Sequence, residues 1–76
     1  MTTAIIGLSV TDWTEIDPTT AAVAVNKLGQ SAIWADDGVL GYARLLAAGE
    51  TEAAALADFE AAGMKAVNWE IIAPTV

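Results

Sequence analysis

Residues 21–35 read AAVAVNKLGQSAIWA, two apolar stretches separated by a polar segment that holds one glycine. Side chains in a strand alternate between faces, so Ala21, Val23 and Val25 would share one face and Ala22, Ala24 and Asn26 the other. In the second stretch Ala32 and Trp34 fall on one face, against Ser31, Ile33 and Ala35. Gly29 can adopt the positive φ that a hairpin connection of this length needs. The pattern predicts a β-hairpin. A ligand-binding loop is the alternative, but the turn chemistry needs no ligand to explain it.

Outward from this hairpin the chain reads as short strands between turns. Residues 3–10, TAIIGLSV, are rich in β-branched side chains and suit an extended arm or a first strand. DWTEI follows as a strand, and Asp17-Pro18 opens a turn. DDGV supplies the next turn, GYARLL the next alternating segment and AAGE another glycine turn. KAVNWEIIAPTV closes the chain with the cleanest alternation: Val67, Trp69 and Ile71 on one face, Ala66, Asn68, Glu70 and Ile72 on the other. Pro74 ends that strand, because proline cannot donate to a central ladder.

Residues 50–63, ETEAAALADFEAAG, support two readings. Alanine, leucine and glutamate favour a helix, with Thr51 as N-cap and Gly63 just past the end. Only Leu56 and Phe59 are large, however, and a short helix without a broad apolar stripe is weak. A small-residue strand followed by a turn is the other reading. The turn signals recur every 8–12 residues or so, a spacing that suggests a mainly β protein, a small antiparallel β-sandwich or barrel with a possible short helical turn within 51–62. Residues 1–8 are expected to form the N-terminal arm or first strand and residues 9–76 a single β-rich domain.

Size and composition restrict the function. A chain of 76 residues buries only roughly 60% of its unfolded surface and is marginal alone. It has no cysteine and no histidine, which removes disulfides, thiolate metal sites and the commonest metal ligand and general base. Self-association or docking on a larger body is the remaining way to gain stability. Three basic against ten acidic residues give a net charge of -7, so neither nucleic acid nor an anionic membrane is an expected partner. The apolar runs are far shorter than the ~20 residues of a membrane span. The first residues lack the positive region of a signal peptide, and the lack of cysteine fits a cytosolic origin.

No constellation stands out as catalytic. Asp36 and Asp37 precede Gly38 without the further oxygen ligands of a calcium loop, and an exposed acidic turn explains them. Glu50 and Glu52 read as a solvated edge. Ser9 and Ser31 have only Lys27 and Lys65 as conceivable bases, at no supporting spacing. The glycines are scattered at turn positions rather than gathered into a phosphate-binding loop. The expectation is a protein that is not an enzyme and uses no cofactor.

Interface candidates are more prominent. Three tryptophans in a chain this small are either core anchors or contact residues. Trp69 is expected in the core. Trp34, whose neighbours on its face are small, is expected at a partner surface. The apolar, uncharged N-terminus supplies the other candidates, Thr2, Thr3, Ile5, Ile6 and Leu8, either as a first strand or as an arm that adds to another chain's sheet.

The order DWTEI, AAVAVNKLGQSAIWA, ARLLAAGE and a terminal strand ending APTV resembles the small β-rich proteins that decorate or cement the heads of tailed bacteriophages. The shared pattern is a valine-alternating strand, an asparagine, a short glycine turn and an aliphatic strand, here Val23 to Ile33, and then a Leu-Leu-x-x-Gly-Glu turn, here Leu45 to Glu50. Alanine stands at position 48 where many of those sequences have proline, and the alanine-rich run after Glu50 departs from their β-branched content. The resemblance implies a β-sandwich or barrel, with residues 50–63 as strand and turn. It also implies a symmetric cluster, commonly a homotrimer, on the capsid exterior of the virion, in contact with the major capsid protein and with no catalytic residues. The alternative is a small acidic adaptor or inhibitor-type binding module. One-sided clustering of Asp36, Asp37, Glu50, Glu52, Asp58 and Glu60 would mark it.

Overall fold

The computed structural model describes residues 8–75. The expectations for Thr2, Thr3, Ile5 and Ile6 lie outside the described residues. The element order is β1 (Thr14–Glu15), α1 (Pro18–Leu28), β2 (Ala32–Asp36), β3 (Gly41–Leu45), α2 (Glu52–Ala61) and β4 (Asn68–Ile72). The strands form one antiparallel sheet in the order β1-β3-β2-β4. The fold is therefore mixed α/β. The expected antiparallel strands are present, but among the described residues the sheet is single and open rather than a sandwich or barrel.

The largest correction falls on residues 21–26, expected as a strand and found in helix α1. Its ends explain why. Asp17 is the N-cap, and its carboxylate accepts from the Thr20 amide at 2.8 Å. Pro18 takes the first helical position, where its missing N–H is no loss. Gly29 sits in the left-handed region at φ 70° and donates to the Val25 carbonyl at 2.8 Å, closing the helix. Between these caps the many alanines favour helix. Ala21, Ala24 and Val25 form the buried i, i+3, i+4 stripe, while Val23 faces water. Asn26 anchors the far end of the chain, its side-chain oxygen accepting from the Thr75 amide at 2.8 Å.

Residues 52–61 form helix α2, which corrects the strand-and-turn reading the resemblance implied. Thr51 is the N-cap and accepts from the Ala54 amide at 3.1 Å. The buried residues are Ala55 and Phe59, one turn apart.

The strand register assigns the two faces. Ala32 pairs with Leu45 and Ile72, and Trp34 with Ala43 and Glu70, so these side chains share a face. Helix α1 covers it, and the core there joins Leu8, Ile16, Ala21, Ala24, Val25, Ala43, Leu45 and Ile72. Alanines on both the helix and the sheet allow a close approach, and the Trp34 ring fills the volume they leave. Ile33 and Ala35 point the other way with Tyr42 and Arg44, and α2 covers them with Phe59 against Tyr42. The β2–β3 hairpin turns on Asp37, whose carboxylate accepts from the Val39 and Leu40 amides at 2.9 and 2.8 Å.

Candidate interaction surface

The most highly bonded side chain is Arg44, which is only 2% exposed. Its Nη1 and Nη2 donate to the two Glu50 oxygens at 3.1 and 2.7 Å. Nη1 also donates to the carbonyls of Val10 and Leu45. Nε lies 3.2 Å from Asp58 Oδ2 without hydrogen-bond alignment, and the same oxygen accepts from Trp13 Nε1 at 3.0 Å. The Trp13 ring stands 5.2 Å from the guanidinium and 4.7 Å from Phe59, edge to face. Arg44 thus ties the N-terminal segment, β3, the β3–α2 turn and α2 together. Its hydrogen bonds hold the Glu50 carboxyl below the usual carboxylate range, and the Ala47 amide adds to this. The cation is thus engaged by carboxylates and carbonyls of the chain itself.

The six acids that a one-sided cluster would gather fall in three places. Asp36 and Asp37 occupy the hairpin, where Asp36 accepts from the Gly38 amide at 3.0 Å. The Leu40 and Val39 amides hold the Asp37 carboxyl below its ordinary value. Glu50 and Asp58 converge on Arg44. Glu52 and Glu60 are exposed on α2. Among the described residues no group of three or more acidic side chains converges as metal ligands would. Two of the surface depressions lie among the described residues. One of about 320 Å³ is lined by Thr11, Asp12, Trp13, Asp58 and Met64, among others. The other, of about 230 Å³, lies between Asp17 and the hairpin residues Val39 and Leu40. Neither gathers an acid and a base of matched role.

The structure corrects the expectation for Trp69. Trp34 is half-buried against the α1-side core, and its Nε1 donates to the Ile16 carbonyl at 2.9 Å. Trp69, expected in the core, is 46% exposed. Leu8 packs into the core.

The exposed apolar surface centres on β4. Val67, Trp69 and Ile71 are 55%, 46% and 42% exposed. Trp69 and Ile71 lie on the α2 side of the sheet, in line with Ile33 and Ala35, and Val67 stands at the bend just before β4; α2 stands over β2 and β3 and leaves β4 uncovered. The hairpin extends this surface with Val39, 86% exposed, and the Val67 methyl lies beside Gly38. β4 is also an edge strand, so one row of its backbone amides and carbonyls has no ladder partner among the described residues. The period-two pattern correctly placed Trp69 and Ile71 on one face; Val67, expected with them, lies at the bend before β4. It carried no information on what would cover that face. No protein-family model, curated protein or solved structure matches the chain.

Proposed function

We propose that the protein is a non-enzymatic structural component of a tailed-phage head, bound to the capsid exterior, where it bridges subunits of the major capsid protein. The observation that carries this reading is the uncovered apolar face of β4, on a chain whose one buried cation is fully engaged in its own scaffold. A small domain that leaves an edge strand and three large apolar side chains in water is built to be completed by other polypeptides. The open sheet departs from the sandwich that the family resemblance implies, so the reading rests on surface chemistry and sequence pattern rather than on fold. The division of the acids between the hairpin, Arg44 and α2 weighs against an acidic adaptor, which would present them on one side.

The N-terminal residues Thr2, Thr3, Ile5 and Ile6 are the proposed capsid-contacting arm. Leu8 packs in the core, and Trp34 is half-buried against it, with part of its ring open to a partner. Deleting residues 2–7 while keeping Leu8 should leave a folded, soluble domain whose occupancy on purified particles falls. Unchanged occupancy would reject the arm as the capsid contact.

A further inference from the structure

We propose that β4 pairs antiparallel with β4 of a second copy of the chain, in register about Trp69, to join two four-stranded sheets into one. The two edges of the sheet differ. β1 offers two residues and runs at once into Asp17 and Pro18, a short edge of the kind that resists pairing. β4 offers five residues with no proline, glycine or lysine among them, and Pro74 lies beyond its end.

The occupant follows from the polarity of the strand. Residues 67–71 read Val-Asn-Trp-Glu-Ile, which is palindromic in polarity about Trp69. A two-fold axis through Trp69 places Trp69 opposite the partner's Trp69, Val67 opposite the partner's Ile71, and Asn68 opposite the partner's Glu70. One face of the junction then holds the Trp69 and Ile71 side chains of both copies, with each Val67 at the bend beside the partner's Ile71. On the other, each carboxylate meets a neutral carboxamide able to donate to it. The neighbouring symmetric registers are worse. Centring on Glu70 sets two carboxylates directly opposite each other, and centring on Asn68 sets Ile71 against the partner's Lys65. A surface that associates on a chain of net charge -7 must also be poor in like charge, and β4 carries one acid. Each exposed side chain leaves on the order of 100 Å² in water. Side-by-side pairing covers the flanks of these side chains and leaves their outer faces in water, so with the two backbone edges it stays below the ~1,000 Å² of a small specific interface. The expected dimer is thus a weak one.

The association is a property of the purified chain, so its failure leaves the capsid reading standing, and the reverse also holds. Sedimentation equilibrium of the full chain up to about 1 mM, the weak end of specific affinity, should show a monomer–dimer equilibrium. Trp69→Lys, at an exposed position, should weaken it at least tenfold with the circular dichroism spectrum unchanged. Register is read from cysteine variants, since the natural chain has none. Directly opposite Cα atoms lie within about 4.5–5.5 Å, inside disulfide range. A mixture of Asn68→Cys and Glu70→Cys chains should therefore cross-link on oxidation, while either variant alone stays largely uncross-linked. A monomer at all concentrations, a trimer, cross-linking of either variant alone, or loss of the dimer on deleting residues 2–7 but not in Trp69→Lys would overturn the proposal.

Discussion

Gly41→Ala probes how tightly the α1-side core is packed. A Cβ at position 41 would stand 2.4 Å from Trp34 Cζ2 and 2.7 Å from both Cε2 and Nε1. Carbon atoms in contact prefer about 3.5–4.0 Å, so the indole must retreat by roughly 1 Å. It has little freedom to do so. Nε1 is bonded to the Ile16 carbonyl, the Ile16 amide donates back to the Gly41 carbonyl at 2.9 Å, and the ring packs on the core. Overpacking of this kind costs about 1–3 kcal/mol, and losing the indole hydrogen bond adds about 1–3 kcal/mol where the acceptor is left unsatisfied. Alanine regains roughly 0.5–1 kcal/mol of chain entropy. The net expectation is a loss of about 2–4 kcal/mol. A 76-residue chain has a total stability of roughly 4–11 kcal/mol, so this is a large fraction. Urea unfolding followed by far-ultraviolet circular dichroism measures it. Gly29→Ala, with φ 70° but no atom within 4 Å, is the control for backbone strain without crowding. A Gly41→Ala chain within about 0.5 kcal/mol of the parent, the usual range of a neutral surface change, would refute tight packing of Trp34. A Trp34→Phe, Gly41→Ala double-mutant cycle should show strong coupling between the two positions.

Other expectations follow from the ion-pair cluster and the caps. Arg44→Ala removes charge-assisted hydrogen bonds to Glu50, whose carboxylate stays partly exposed, and should cost about 1.5–3 kcal/mol in urea unfolding; a cost below about 0.5 kcal/mol, the range of a neutral surface change, would mean the cluster is solvated. Glu50 is held below its ordinary value of 4.5, so its contribution is present above that value and is lost as pH falls through the lower folded value. The thermal midpoint should accordingly drop on acidification below about pH 4, and drop less in Glu50→Gln; equal acid sensitivity of the two chains would contradict the assignment. Asp17→Ala and Thr51→Ala each remove an N-cap and should cost about 1 kcal/mol, read as a lowered urea midpoint.

Much of the sheet was legible in the sequence. β2, β3 and β4 stand within the segments SAIWA, GYARLL and KAVNWEIIAPTV that read as strands, and the turn between β2 and β3 stands on Asp37 and Gly38. Helix α1 was hidden by alanine. In AAVAV the residues at spacing two and those at spacing three and four are both apolar and small, so either period fits. The deciding signal lay outside the stretch. Asp17-Pro18 before it and Gly29 after it form a cap at each end, the same residues that also suit turns. For α2, helix propensity and the Thr51 cap pointed to the observed state. The weak apolar stripe and the family pattern pointed away from it, and one buried Phe59 sufficed to dock the helix. The interaction surface was half legible: alternation grouped Trp69 and Ile71, but coverage depends on where α2 crosses the sheet. The burial of Arg44 had no local signature, because its partners Val10, Glu50 and Asp58 are brought together only by the fold.

The reading that the chain works by being laid against its neighbours is tested most directly by counting its copies in purified, intact phage particles. Quantitative mass spectrometry should find it in fixed proportion to the major capsid protein. Its absence from washed particles, with the chain recovered only as a free monomer in the host lysate, would contradict that role.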